Sequence, residues 1–376
     1  MIPQGYKHTE IGIIPREWDL KTMKDISWVN QGLQIPISNR FKNPSEKSKV
    51  YITIQYLNDG KELEYINDYS SSVVCTKEDV LMTRTGNTGI VVYDVEGVFH
   101  NNFFKINYNK KQVDRSYLIY FLKDTKTQKT ILEKAGISTI PDLNHNDFYS
   151  IQIPIPPLPE QQAIAQALSD ADELISSLEK LIAKKRLIKQ GAMQELLTPK
   201  PNWVAKKLGD LLKYEQPTKY IVKSTEYTEN GSYPVLTAGK SLLLGYTEED
   251  FGVFKNLPVI IFDDFTTATK FINYPFKVKS SAMKMLLPRN SNVNLKLVFE
   301  IMQGIDFPLS DHKRYWISEY QNIEINLPTE SEQVHIATIL SDMDKEIENL
   351  NQKLEKYKSI KQGMMQDLLT GKVRLV

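Results

Sequence analysis

The chain holds almost none of the residue groupings that disulfide, metal or nucleophile chemistry requires. Cys75 is its only cysteine in 376 residues, which excludes a disulfide framework and fits a reducing compartment. Its place after Val73-Val74 reads as a buried apolar thiol, not a nucleophile. His8, His100, His145, His312 and His335 are scattered and build no recognisable metal site. No apolar run approaches the roughly 18 residues of a membrane span. No cationic-then-apolar leader opens the chain, because Glu10, Pro15 and Asp19 interrupt it. The expectation is a cytoplasmic protein away from membranes. Neither charge sign dominates either: 47 basic against 46 acidic side chains leave +1, so bulk charge announces no polyanionic partner.

Catalytic signatures are missing too. The Glu-x-Lys triplet common in nucleases does not occur. Gly239-Lys240-Ser241 resembles the end of a phosphate-binding loop, but Pro234 stands where its first glycine belongs. Asn273-Tyr274-Pro275-Phe276 resembles the element with which adenine N6-methyltransferases grip the target amine, yet its second residue is Tyr instead of Pro. No glycine-rich cofactor loop follows a strand anywhere. A chain without catalysis, and with no cofactor of its own, is expected.

What the chain has is a duplication. Glu160 to Lys200 recurs without a gap as Glu332 to Lys372, an offset of 172 (332 minus 160), with about half of the positions identical. Ile188-Lys189-Gln190-Gly191 returns as Ile360-Lys361-Gln362-Gly363. Both copies carry a helical seam with apolar residues spaced by four and three. In the first it runs through Ile164, Leu168, Ala171, Ile175, Leu178 and Ile182; in the second, through Ile336, Leu340, Met343, Ile347, Leu350, Leu354 and Tyr357. Two long helices that pair antiparallel as a coiled coil are expected, each a rod of roughly 55 Å. The alternative is two separate amphipathic helices, each lying on its own globule.

Prolines 154, 156, 157 and 159 introduce the first helix, and Thr198-Pro199 ends it. Thr329-Glu330-Ser331-Glu332 reads as a capping box for the second, which Thr370-Gly371 terminates. The chain therefore divides into a globule (1–158), a helix (159–198), a second globule (199–328) and a second helix with its tail (329–376). Trp18, Lys21 and Asp25 correspond to Trp203, Lys206 and Asp210, and Ile151 and Ile153 to Ile323 and Ile325, but the interiors between them share no convincing identity. Val73-Val74, Ile90 to Tyr93 and Val259 to Phe262 suggest strands; Ser116 to Leu132 and Leu295 to Met302 suggest helices. The fold class is α+β: two mixed α/β globules separated by the paired helices.

Binding chemistry concentrates in a few segments. From Phe265 to Phe299 there is no acid, while Thr266, Thr267, Thr269, Lys270, Lys277, Lys279 and Lys284 interleave with aromatics. Cations there could neutralise phosphates and hydroxyls could reach them; the bland alternative is a pair of strands with solvated lysines. His312-Lys313-Arg314-Tyr315 is a second cluster of this kind. In the first globule, Thr83-Arg84-Thr85-Gly86-Asn87-Thr88-Gly89 offers Arg and Asn, which can pair with guanine and adenine edges, on a turn that glycines permit. An ordinary polar turn is the competing reading. Lys105, near His100-Asn101-Asn102, and Ser138-Thr139 complete the set.

Pro156-Pro157-Leu158-Pro159-Glu160-Gln161-Gln162-Ala163-Ile164-Ala165, Lys189-Gln190-Gly191-Ala192-Met193-Gln194-Glu195-Leu196-Leu197-Thr198 with its copy, and the openings Ile14-Pro15-Arg16-Glu17-Trp18 and Asn202-Trp203 together resemble the DNA specificity subunit of type I restriction–modification systems. The resemblance covers the whole chain. It implies that each globule is a target recognition domain for one half of a bipartite, asymmetric double-stranded DNA target. It implies that the helices set the gap and dock two methyltransferase subunits, through which restriction/translocase subunits join. S-adenosylmethionine, ATP and Mg2+ would then belong to those partners. Two other classes stay open: a coiled-coil scaffold whose globules bind proteins, which a weak salt dependence would favour, and a fused methyltransferase, which methyl transfer by the isolated chain would reveal.

Overall fold

The computed structural model describes residues 2–59, 63–136, 141–237, 242–309 and 314–375. The chain divides into two compact units, Met1–Leu178 with Lys353–Val376, and Glu179–Gln352. Each unit takes in part of both long helices, so the globules and the repeat are not separate blocks.

In the first unit, a hairpin pairs β1 (Tyr6–Thr9) with β2 (Gly12–Pro15). Then come β3 (Asp19–Thr22), α1 (Met23–Ile26), β4 (Ser27–Gln31), β5 (Lys49–Ile52), α2 (Ile54–Asp59), β6 (Tyr65–Ile66) and β7 (Val74–Cys75). After these follow β8 (Val80–Thr83), β9 (Val91–Tyr93), β10 (Gly97–Phe99) and β11 (Phe103–Tyr108). Two sheets result, ordered β6-β5-β10-β7 and β4-β11-β8-β9, the second antiparallel throughout. The stretch expected as one helix is two, α3 (Arg115–Lys123) and α4 (Thr125–Ala135). Asp124 breaks it, because its extended backbone ends α3 while its carboxylate accepts from the amides of Lys126 and Thr127 to start α4. Beyond α5 (His145–Tyr149), β12 (Gln152–Ile155) returns to pair antiparallel with β3 and delivers the chain into α6 (Leu158–Leu196). Pro159 is tolerated because a first-turn amide has no helical partner to lose.

The second unit repeats this path with other residues. β13 (Val204–Lys207), α7 (Leu208–Leu211) and β14 (Leu212–Glu215) precede β15 (Tyr233–Leu236), β16 (Leu243–Thr247), β17 (Val259–Asp263), β18 (Thr269–Ile272), β19 (Lys277–Val278) and β20 (Met283–Pro288). The sheet β14-β20-β17-β18 is antiparallel and has the connectivity of β4-β11-β8-β9. The smaller sheet β16-β15-β19 keeps a parallel pair, as β5 and β10 do. α8 (Leu295–Gln303), α9 (Tyr315–Ser318) and β21 (Glu324–Leu327), which pairs with β13, lead to α10 (Glu330–Leu369). Interiors without identity thus share one topology. The central strands β8, β17 and β20 are buried on both faces, so they need only apolar side chains of roughly conserved volume, and many sequences satisfy that.

The long helices are built into both cores. Ile164, Ala165 and Leu168 of α6 and Leu368 and Leu369 of α10 pack with Trp18, Met82, Phe104, Tyr117 and Phe148 in the first unit. In the second, Ile336, Ala337 and Leu340 of α10, with Met193 and Leu196 of α6, pack with Phe262, Leu286, Val298 and Trp316. Within each unit the two helices run antiparallel and are tied by ion pairs. Lys361 meets Asp172 at 2.5 Å in the first; Lys189 meets Asp344 at 2.6 Å and Lys185 meets Glu346 at 2.6 Å in the second. Helix apposition, rather than two isolated helices each on its own globule, is what each unit contains. Ile164, Leu168, Leu178, Ile182, Ile336, Leu340 and Leu354 are buried, and Ile175, Met343, Ile347 and Leu350 are half-buried. The expected capping box is only half made. Thr329 Oγ1 accepts from the Glu332 amide at 3.4 Å, but the Glu332 carboxylate is drawn instead to Lys200, 2.5 Å away.

Burial alone would push the Asp344 carboxyl up, but hydrogen bonds from Lys189 and Lys296 outweigh it and hold the group below its ordinary value of 3.8. A carboxylate depressed in the folded state contributes stability above its unfolded pKa and loses it as pH falls through the folded one. The thermal midpoint should therefore drop as pH goes below about 4. Asp344→Asn should be less stable at neutral pH and show a shallower acid dependence, which calorimetry across pH 2.5–7 will read.

Candidate nucleic-acid interface

The turn joining β8 to β9 and the turn joining β17 to β18 connect the same two strands of the shared sheet. In each unit the loop before the exit strand lies against that turn. In the first, the Leu143 amide donates to the Arg84 carbonyl at 2.8 Å, Thr88 Oγ1 donates to the Pro141 carbonyl at 2.8 Å, and Thr85 bridges to Asp142. In the second, the Tyr315 amide donates to the Asp264 carbonyl at 2.9 Å, and the Trp316 amide to the Asp264 carboxylate at 2.9 Å. Two of the clusters singled out by composition, Thr83–Thr88 and Thr266–Lys270, therefore lie on or beside equivalent turns. Packed on the first turn are Pro141, Asp142 and Leu143, and on the second Arg314, Tyr315 and Trp316. Ser138, Thr139, His312 and Lys313 themselves lie outside the described residues.

The first turn is held by a dense set of hydrogen bonds. Gly86 and Gly89 have φ of +84° and +95°, a region open to glycine. Thr83 Oγ1 donates to the Asn87 carbonyl and accepts from the Ile90 amide at 2.8 Å. Arg84 is engaged: its guanidinium meets the Asp142 carboxylate at 2.8 Å and the Leu143 carbonyl at 3.3 Å, and sits 5.5 Å from the Phe104 ring centre. The Thr85 hydroxyl also goes to Asp142. Asn87 is the side chain that this frame leaves exposed. In the second unit Thr266, Lys270 and Arg314 are exposed, Arg314 lies 5.8 Å from the Phe265 ring centre, and Lys279 is exposed 5.6 Å from that of Tyr227.

Several expected contact residues are structural instead. Thr83 and Thr88 are buried and hold the turn together. Lys105 donates to the Val74 carbonyl at 2.8 Å, tying the two sheets. Thr269 is buried and accepts from Gln303 Nε2 at 2.5 Å. Thr267 takes φ +57° at the turn and bonds its neighbour's carbonyl at 2.7 Å. Lys277 is fully buried, 3.0 Å from Glu249 and 2.5 Å from the Phe251 carbonyl. Lys284 is fully buried, 3.3 Å from Asp264 and 3.1 Å from Gln216. Tyr315 is buried beside Phe307. A lysine sealed against a carboxylate has no face to offer a phosphate.

Sequence reasoning missed Asp142, which holds Arg84 from far along the chain, and the exposed Phe265. It also missed Trp28, 60% exposed on the edge strand β4 near Asn30 and Asn107. Trp28 and Asn30 alternate around Val29, and that period-2 pattern was a usable signal. Cys75 is buried, and its thiol is pushed up to about 11 by desolvation. Among the described residues, no three His, Cys, Asp or Glu side chains gather as a metal site would need, and no helix is long and apolar enough to cross a membrane.

The type I restriction modification DNA specificity domain matches this chain twice, over residues 15–187 and 200–358. The EcoR124I/EcoR124II specificity subunit of Escherichia coli is 49% identical over 126 residues, a stretch covering 32% of this chain and about a third (31%) of that subunit. The MjaVIII specificity subunit of Methanocaldococcus jannaschii is 24% identical, covering 96% of this chain and 94% of its own. A solved S subunit of a type I system from M. genitalium superposes with a TM-score of 0.63 at 17% identity, covering 93% of this chain and 96% of that one.

Proposed function

This chain belongs to the family of type I restriction–modification DNA specificity subunits, and from that premise we propose that its two modules read the two halves of a bipartite, asymmetric DNA target. The observation that carries the reading is that polar residues sit on equivalent turns of both modules, each with a later segment packed on it, and that these residues differ while the scaffold is shared. Shared strands place the loops; differing side chains let each read different base edges. In the first module Asn87 offers a paired amide contact of the kind adenine accepts. In the second, Lys270, Lys279 and Arg314 supply phosphate contacts.

The chain acts without catalysis of its own. Two methyltransferase subunits dock on the repeated helices, carry S-adenosylmethionine and bring in the ATP- and Mg2+-dependent restriction/translocase subunits; the assembly is cytoplasmic. Surface identity between the repeats supports a partner present twice. Ile188, Gln190 and Gly191 match Ile360, Gln362 and Gly363, and all six are exposed. A Cβ at Gly191 or Gly363 would meet nothing within 4 Å, so no contact inside the chain explains a residue that costs a helix about 1 kcal/mol. The helices pair as a coiled coil that fixes the gap between half-sites.

Footprinting with the methyltransferase partner tests the reading: protection of two separated half-sites is expected, and protection of one or none would overturn it. Asn87→Ala should relax preference at one base position, a loss of roughly tenfold in discrimination. Arg84→Ala should instead weaken the whole first half-site, because Arg84 holds the turn.

A further inference from the structure

The repeated helices present the same charge pair to each module, and the modules answer it differently. In the first unit Lys361 binds Asp172 at 2.5 Å, and Tyr120 of α3 donates to the other oxygen of Asp172 at 2.9 Å. In the second, Lys189 and Asp344 are the exact repeat copies of Lys361 and Asp172. There α8 contributes two charges: Lys296 reaches Asp344 at 2.7 Å and Glu300 at 2.5 Å, and Lys189 reaches Glu300 at 3.2 Å. α3 and α8 are equivalent helices, each started by a capping residue, Asp114 or Asn294, whose amide donates to the repeated glutamine Gln161 or Gln333. From those caps, Tyr120 matches Glu300 and Ser116 matches Lys296.

Both arrangements balance. One socket holds one cation, one anion and a neutral phenol; the other holds two cations and two anions, with the Glu300 side chain fully buried. Removing a single member of the second set strands a charge in a poorly solvated place, whereas removing the module's own pair together does not. Tyr120 buries its ring under the Lys361 ammonium, 5.7 Å from the ring centre, so the first joint needs no second charge.

We propose that Tyr120 in the first module, and Lys296 with Glu300 in the second, are positioning residues that orient each module on an identical socket of the repeated helices. They act as matched plugs: the socket is constant, and Lys296 and Glu300 can be exchanged only together. The orienting role rests on the two-half-site reading proposed above; the plug itself does not.

The experiment compares Lys296→Ser, Glu300→Tyr and the double variant, which transplants the first module's plug into the second. In the full chain without DNA, each single change should lower the thermal midpoint by roughly 10 °C, and the double should recover more than half of that loss. A double variant that melts as low as the two single losses combined would overturn the plug. With the methyltransferase partner, methylation is then measured on targets whose gap is lengthened or shortened by one base pair. The single variants should lose roughly tenfold of the preference for the native gap and the double should regain it, because orientation sets where the second reader falls on the duplex. Lower midpoints with unchanged gap preference would mean that the cluster only supports folding, and would overturn the positioning role. Wild-type protein that protects no pair of half-sites would instead defeat the two-half-site reading and with it the orienting role, while the unfolding comparison still decides the plug.

Discussion

Charge reversal at Lys270 and Lys279 together is expected to lower DNA affinity roughly 100-fold at about 0.1 M salt, and to flatten the salt dependence by about two phosphate contacts. The same reversal at Lys277 or Lys284 is expected to prevent the second module from folding. These four lysines lie within one acid-free stretch and differ only in burial. Lys270 and Lys279 are exposed, so their glutamates would trade attraction to phosphate for repulsion and leave the fold intact. Lys277 and Lys284 are sealed against Glu249 and Asp264. A glutamate there would set two carboxylates about 3 Å apart in a poorly solvated site, costing about 5 kcal/mol, comparable with the whole stability of a domain. Salt-titrated binding reads the first pair, and circular dichroism with limited proteolysis reads the second. Folded, DNA-competent protein carrying Lys277→Glu would show the buried assignment to be wrong.

This contrast also marks what the sequence could reveal. The two helices were legible because a three-and-four apolar spacing held for about twenty residues inside a repeat of about forty and then recurred, and few other structures have that period. Their ends were legible from Pro159, Pro199 and Gly371. The segments Thr83–Thr88 and Thr266–Lys270 were legible as turns because turns concentrate glycine, threonine and asparagine for backbone reasons, whatever the module. Burial was not legible. Lys277 looks like a phosphate ligand until a strand pairing seats it beside Glu249, and Arg84 looks like a base reader until Asp142 arrives from the loop before β12. A count of charges along a chain does not see a carboxylate supplied by a distant segment. The shared topology of the interiors was hidden for the opposite reason: its central strands β8, β17 and β20 are buried on both faces, and interchangeable apolar residues there leave almost no identity to find.

The repeated glutamine one turn into each long helix gives the largest expected effect on the way a module is seated. Gln161 is fully buried; its Oε1 accepts from the Asp114 amide at 2.8 Å, and its Nε2 donates to the carbonyls of Gln112 and Pro156 at 2.8 and 2.9 Å. Gln161→Ala leaves one donor and two acceptors buried without partners, each costing about 1–3 kcal/mol, so a loss of about 4 kcal/mol is expected. Gln161→Glu should do little better, because a carboxylate still accepts from Asp114 but cannot donate to either carbonyl and repels both. At the equivalent place Gln333 accepts from the Asn294 amide at 3.2 Å and donates to the Pro328 carbonyl at 3.1 Å. With fewer and longer bonds, Gln333→Ala should cost only about 2 kcal/mol. Chemical denaturation orders the three variants, and half-site footprints locate the damage. Because Gln161 pins the cap of α3 and Gln333 the cap of α8, each substitution should blur only its own module's half-site. Equal losses at both half-sites from either change would mean that the glutamines hold the two helices together and do not seat the modules on them.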